Sequence, residues 1–263
     1  MRILFIGDIV GSGGREAVNR FVPELRREYG CDFCIANGEN MANGNGFARS
    51  TLNELKRSKV DVFTGGDHTW DQKEFEKEIL DFPNVIRPAN VSPLQPGKGY
   101  GVFEAADGTK VGVVNLLGRT FMRFSADCPF AASEKIVSEL RETTPIIIVD
   151  FHAEATSDKI ALARFLDGKA TAVLGTHTHV PTADETIFPG GTAFQCDVGM
   201  VGSKDSVLGR EVAPIIQHYL SGMPIRFPVI NSNVRLCGTV ITVDSAGRAT
   251  AIERVVRDMD VIN

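Results

Sequence analysis

Short apolar runs alternate with segments of helical period along most of the chain. "RILFIG" reads as a buried strand, and "GREAVNRFVPELRREYG" carries apolar residues near helical spacing and closes on a glycine, which predicts strand, turn and helix. The pattern recurs in "DFCIAN" then "TLNELKRS", "VDVFTGG" then "DQKEFEKEIL", and "PIIIVDFH" then "SDKIALARFL", while "ATAVLG" leads into a long loop. Such alternation predicts the α/β class, with mostly parallel strands covered by helices. "GYGVFEAADGTKVGVVNLLG" and "VRLCGTVITVDSAGRATAIERVVR" are each two extended segments about a turn signal and read as hairpins. Prolines and glycines make "RPANVSPLQPGKG" (87–99) a surface loop and "HYLSGMPIRFPVINSN" (218–233) an irregular connection. No repeat, linker or low-complexity tract divides the chain, so one domain over residues 1–263 is expected, with two β-sheets packed together and helices outside.

Composition narrows the partners. The 263 residues suffice for such a core, and 43% hydrophobic with 23% charged residues is the balance of an ordinary soluble globule. A formal charge of -5 gives no basic excess, so duplex nucleic acid is not an expected partner, while a small nucleotide ligand stays open. The apolar run before Gly7 and Asp8 is only four residues, too short for a secretory signal or a membrane span; a cytoplasmic setting without a membrane partner is expected. Five cysteines, an odd number, fit reduced thiols. Cys31 and Cys34 form a C-x-x-C with no second pair or nearby histidine, and are expected in strand and core rather than on zinc. A homo-oligomer is compatible with the chain, whose sequence does not reveal its order.

The chemistry lies in where polar residues fall relative to the strands. Asp8 follows "ILFIG", Glu39 and Asn40 follow "FCIA", Asp67 and His68 follow "VDVFT", His152 follows "IIIVDF", and His177 and His179 follow "TAVLG". Parallel strands deliver their following loops to one sheet edge, the usual ligand crevice of open α/β sheets, so five segments are expected to converge there. Each piece has an ordinary reading: a lone histidine as a structural hydrogen-bonding residue, Asp8 as a turn cap, H-x-H as two rings adjacent by chance. Together they form an oxygen and nitrogen donor set without thiolate, suited to manganese, iron or zinc pairs rather than to a structural zinc.

The ordered motifs "GDIVGSGGR", "ANGEN", "GDHTWD", "FHAEATSDK", "GTHTHVPTADE" and "DVGMVGS" resemble the calcineurin-like metallophosphoesterases, and within them the YmdB-type branch. The resemblance implies a four-layer αββα sandwich of two mixed sheets flanked by helices, two divalent metal ions per chain, and phosphodiesterase activity on 2',3'-cyclic nucleotides. Two departures from the wider superfamily stand out. Its D-x-H opening is Asp-Ile-Val at residues 8–10, with Asn40 as the substitute ligand, a change that the branch shares along with its bridging Glu. Asp67 occupies a position where the pattern commonly has Asn.

On this resemblance Glu39 bridges two ions, Asp8, Asn40 and His179 complete the first, and Asp67, His152 and His177 complete the second. Iron or manganese is expected, with zinc as a further candidate. The expected chemistry is attack on phosphorus by a hydroxide held between the ions, with His68 protonating the leaving oxygen. Two divalent ions, three carboxylates and one hydroxide sum to zero charge, whereas Asn at 67 would leave one positive charge for an anionic diester. Glu154 and Asp197 are candidates to orient ligand histidines, and Arg119 to clamp phosphate; turn, cap and salt-bridge duties are their ordinary readings. Asn37, Asn43 and Asn45 suit a Gly/Asn turn loop, and His218 is expected to be structural. Two rivals stand beside this reading. A metal-dependent amidohydrolase also uses H-x-H, but on its first strand; a metal-binding regulatory or scaffold protein would turn over little.

Overall fold

The first strand, β1 (Arg2–Ile6), gives way through Gly7 to a two-residue strand β2 (Asp8–Ile9) and then to helix α1 (Gly11–Tyr29). This computed structural model describes residues 1–259. The helix buries Ala17, Val18, Phe21, Val22 and Leu25, and stops at Gly30, whose φ of 61° is left-handed and costs glycine nothing. There follow β3 (Phe33–Asn37), α2 (Arg49–Glu54), β4 (Val62–Thr64), α3 (Phe75–Glu78), β5 (Val85–Ile86), the hairpin β6 (Tyr100–Glu104) and β7 (Lys110–Leu117), and α4 (Pro129–Arg141). The second half adds β8 (Ile147–His152), α5 (Thr156–Phe165), β9 (Ala172–Thr176), β10 (Thr186–Ile187), β11 (Ala193–Gln195) and β12 (Met200–Ser203). It closes with α6 (Val212–Ser221), β13 (Val234–Val243) and β14 (Ala249–Met259).

Two mixed sheets result. One runs β2-β12-β13-β1-β3-β4-β5 with β14 on β13; the other runs β10-β11-β9-β8-β7-β6. The strands β1, β3, β4 and β5 are parallel, as are β7, β8, β9 and β11, so both sheets send their C-terminal strand ends toward loops that carry the polar residues. Side chains alternate across each strand, and both faces are apolar. Ile3, Phe5, Phe33 and Ile35 meet Val113, Ile148 and Leu174 between the sheets. Leu4, Ile6, Cys34 and Ala36 instead pack with α1, and Ile147, Val149 and Phe151 with Ile136 and Val137 of α4 and Leu162 of α5. The layers are helix, sheet, sheet, helix.

Several elements differ from the sequence reading. The long loop expected after β9 contains β10, β11 and β12, each four residues or fewer. Helices α4 and α6 are absent from that reading; α6 extends to Ser221, so residues 218–221 are helical rather than irregular. Helix α3 is four residues followed by a 3-10 turn, shorter than the segment suggests. The loop at 87–99 wraps Arg87, only 6% exposed, whose guanidinium donates to the carbonyls of Pro88, Gln95 and Pro96. Among the described residues no helix is long and apolar enough to cross a membrane.

Candidate metal centre

The strand ends bring their polar residues together. Asp8, in β2, is fully buried, as is His152 at the end of β8; Glu39 and Asn40, just past β3, are 1% and 3% exposed. One donor atom each from Glu39, Asp67, His152 and His177 lies within 4.8 Å of the others. His152 Nε2 stands 3.1 Å from both Glu39 Oε1 and Asp67 Oδ1, and His177 Nδ1 is 3.4 Å from Asp67 Oδ1 and 3.0 Å from His152 Nε2. Asp8, Asn40 and His179 continue the cluster: His179 Nε2 lies 3.6 Å from Asp8 Oδ1 and 3.3 Å from Asn40 Nδ2, which donates to Glu39 Oε1 at 3.3 Å.

These residues fit a cation. Asp8 Oδ1 is buried without a hydrogen-bond partner, an expensive state for a carboxylate oxygen unless a positive charge faces it. The backbone leaves room as well: a Cβ on Gly66 would sit 2.1 Å from Glu39 Oε2 and 2.5 Å from His152 Nε2. Protonated histidines otherwise neutralise the carboxylates. Burial pushes the His152 imidazole down, but Glu39 and Asp67 overcome it and hold the ring well above its ordinary value; His179 is raised in the same way, chiefly by Asp8. Burial likewise raises the Asp8 carboxyl, and His179, with help from His152 and the His177 N–H, brings it to about 2. Asp67 is held below the usual carboxylate range against burial by hydrogen bonds from His152 and His177.

Neighbouring groups set the ring tautomers. His152 Nδ1–H donates to Thr176 Oγ1 at 2.9 Å, whose hydroxyl donates to buried Asp150 at 2.7 Å, so Nε2 faces the carboxylates. Asp150 also accepts from Asn37 and Thr64, and burial raises its own carboxyl to about 6. His179 donates from Nδ1 to the Leu208 carbonyl at 3.2 Å, and His177 Nε2 lies 3.2 Å from Glu154. Each arrangement turns the other ring nitrogen toward the cluster.

His68 stands at the rim, its side chain 27% exposed. Its backbone N–H donates to Glu39 Oε2 at 2.9 Å, and its Nδ1–H donates to Asp71 at 2.8 Å. Asn45 supports Asp71 at 3.0 Å. The sequence reading assigns no role to Asp71, Asp150 or Thr176, although "GDHTWD" and "IIIVDFH" contain two of them.

Two expectations need correction. Among the described residues Asp197 makes no hydrogen bond to a histidine ring: it pairs with buried Lys159 at 2.8 Å and accepts from the backbone N–H groups of Thr178 and Gly199. Its burial beside a lysine makes it an anchor for the H-x-H turn, where His177 and His179 have φ of 96° and 65°. Arg119 is exposed beside Cys128, with no hydrogen bond or ion pair to the histidine cluster among the described residues. His218, expected to be structural, does donate from Nδ1 to the Met223 carbonyl at 2.6 Å, and it also lines a cavity of about 430 Å³ together with Glu39, His68, His177 and His179.

A family model described as YmdB-like protein matches residues 4–255. The chain belongs to the YmdB-like family. A Bacillus subtilis (strain 168) relative, 2',3'-cyclic-nucleotide 2'-phosphodiesterase, is 46% identical over 261 residues, 99% of this chain and 98% of that one. The solved structure of a novel phosphatase from Mycoplasma pneumoniae superposes with a TM-score of 0.92 at 32% identity, covering 99% of this chain and 94% of that one. A hypothetical protein from Thermus thermophilus gives 0.91 at 41% identity, covering 98% and 99%. The family found is the one that the sequence motifs resemble, and the two-sheet sandwich agrees with it.

Proposed function

We propose that this YmdB-like chain hydrolyses phosphodiesters, with 2',3'-cyclic nucleotides as the substrates, at a centre of two divalent cations. The chain is a phosphoric diester hydrolase; its substrate, ion number and mechanism are the proposal. The observation that carries the reading is the convergence of Glu39, Asp67, His152 and His177 donor atoms within 4.8 Å, beside an Asp8 oxygen that, among the described residues, accepts no hydrogen bond and has only the His179 ring, at 3.6 Å, facing it. Glu39 would bridge the ions, Asp8, Asn40 and His179 would complete one, and Asp67, His152 and His177 the other. When bound, such ions acidify water toward neutral pH and offset the charge of the diester, which suits iron, manganese or zinc. His68 acts as the general acid: Asp71 fixes its Nδ1–H, leaving Nε2 to deliver a proton to the departing oxygen. Glu154 orients His177. Five free thiols support a cytoplasmic setting.

A low-turnover regulatory role is the second reading, favoured by Asp67, whose extra negative charge cancels the excess positive charge that would attract a diester. Both are tested by hydrolysis of 2',3'-cyclic AMP with added manganese, in wild type and His68→Ala. Turnover in the wild type that falls about 10² to 10⁴-fold in the variant, with metal content unchanged, supports the hydrolase with His68 as acid. Absence of turnover in metal-loaded wild type refutes it.

A further inference from the structure

The cavity beside the cluster has two unlike walls. His68, His177 and His179 make the polar one; Leu208, His218, Tyr219 and Phe227, from α6 and its flanking segments, make the other. Tyr219 is 81% exposed, so its ring adds little to the core. The wall is nonetheless held in place. His218 donates from Nδ1 to the Met223 carbonyl at 2.6 Å and stands edge-on to Phe227 with 5.4 Å between ring centroids. Arg210 ties the wall to the loop after β3, donating to the carbonyls of Phe227 and Gly44 at 3.2 and 2.7 Å.

A ligand that fills this space has an anionic end for the cluster and a flat apolar end for the rings. Its volume of about 430 Å³ is that of a small-molecule site. Inorganic phosphate or a base-free diester would leave the aromatic wall uncovered. We infer that Tyr219 and Phe227, with His218 beside them, form a platform on which the nucleobase of the substrate stacks. Aromatic stacking accepts any base, so the platform selects for the presence of a base rather than its identity. The inference rests on the hydrolase reading only for the phosphate end of the ligand.

The test is titration calorimetry of adenosine and of ribose, neither of which carries phosphate, into manganese-loaded wild type, Tyr219→Ala and Phe227→Leu. Adenosine is expected to bind wild type at least about tenfold more tightly than ribose, and Tyr219→Ala to weaken adenosine about tenfold, the usual scale of one lost stacking contact. Because Tyr219 is exposed, that variant keeps its fold. Equal binding of adenosine and ribose to wild type, or an adenosine Kd unchanged in both variants, overturns the platform. Adenosine binding with this pattern in a protein that cleaves no cyclic nucleotide upholds the platform and counts against the hydrolase reading alone.

Discussion

At the residue scale, Asp67 is the position where charge decides most. It lies 3.1 Å from His152 and 3.4 Å from His177, and it adds a negative charge where the pattern that the motifs resemble commonly has a neutral amide. Asp67→Asn is expected to raise turnover on a diester and to weaken metal retention at least about tenfold, since even outer-shell losses reach that size. Metal content after dialysis and kcat on 2',3'-cyclic AMP check both; unchanged turnover or tighter metal binding counts against ligation by residue 67. Protons and a bound cation would compete at the same rings. The His152 ring, raised well above 6.5, must lose its proton to bind a cation, so metal affinity is expected to rise with pH beyond 6.5 and to release protons. In metal-free protein the same raised value contributes stability that is full below 6.5 and lost as pH rises through the folded value. Calorimetry in buffers of different ionisation enthalpy reads the released protons, and a pH-independent affinity contradicts the assignment.

At the element scale, the H-x-H turn is costly backbone held by buried charge. Positive φ at two non-glycine residues costs about 1–3 kcal/mol each and persists where surroundings over-determine it. Lys159, 1% exposed, donates to the Thr176 carbonyl, and Asp197 accepts from the Thr178 N–H, bracketing His177. Lys159→Met strands the Asp197 carboxylate and is expected to destabilise the protein by about 3–5 kcal/mol, measured by urea unfolding. A loss below about 1 kcal/mol would show that the pair is dispensable. This clamp was not legible in the sequence, because a lysine in "SDKIALARFL" looks like any helix-surface residue and its partner is 38 positions away. The ligand candidates were legible because each follows an apolar strand. Elements β10 to β12 were not, since two to four residues carry no readable period and form only by pairing with neighbours. α6 exposes Ile216, Tyr219 and Leu220, which blurs the amphipathic signal that marks other helices.

At the scale of the whole molecule, the sheet joins distant parts of the chain. β1 lies between β3 and β13, so strands far apart in the sequence pair at the sheet's centre. The strand and helix alternation of β1, α1, β3, α2, β4, α3, β8, α5 and β9 was readable, whereas the assignment of strands to two sheets depends on pairings more than 200 residues apart, such as Ile3 with Ile241. Asp8 and His177 also lie 169 positions apart, yet the His177 N–H donates to Asp8 at 3.2 Å. The fold thereby places candidate ligands from both sheets around one point. Anomalous diffraction from crystals grown with manganese tests this most directly. The account predicts two peaks per chain, one among Glu39, Asp67, His152 and His177 and one among Glu39, Asp8, Asn40 and His179; peaks absent from this cluster, or a single peak that leaves Asp8 untouched, would contradict it.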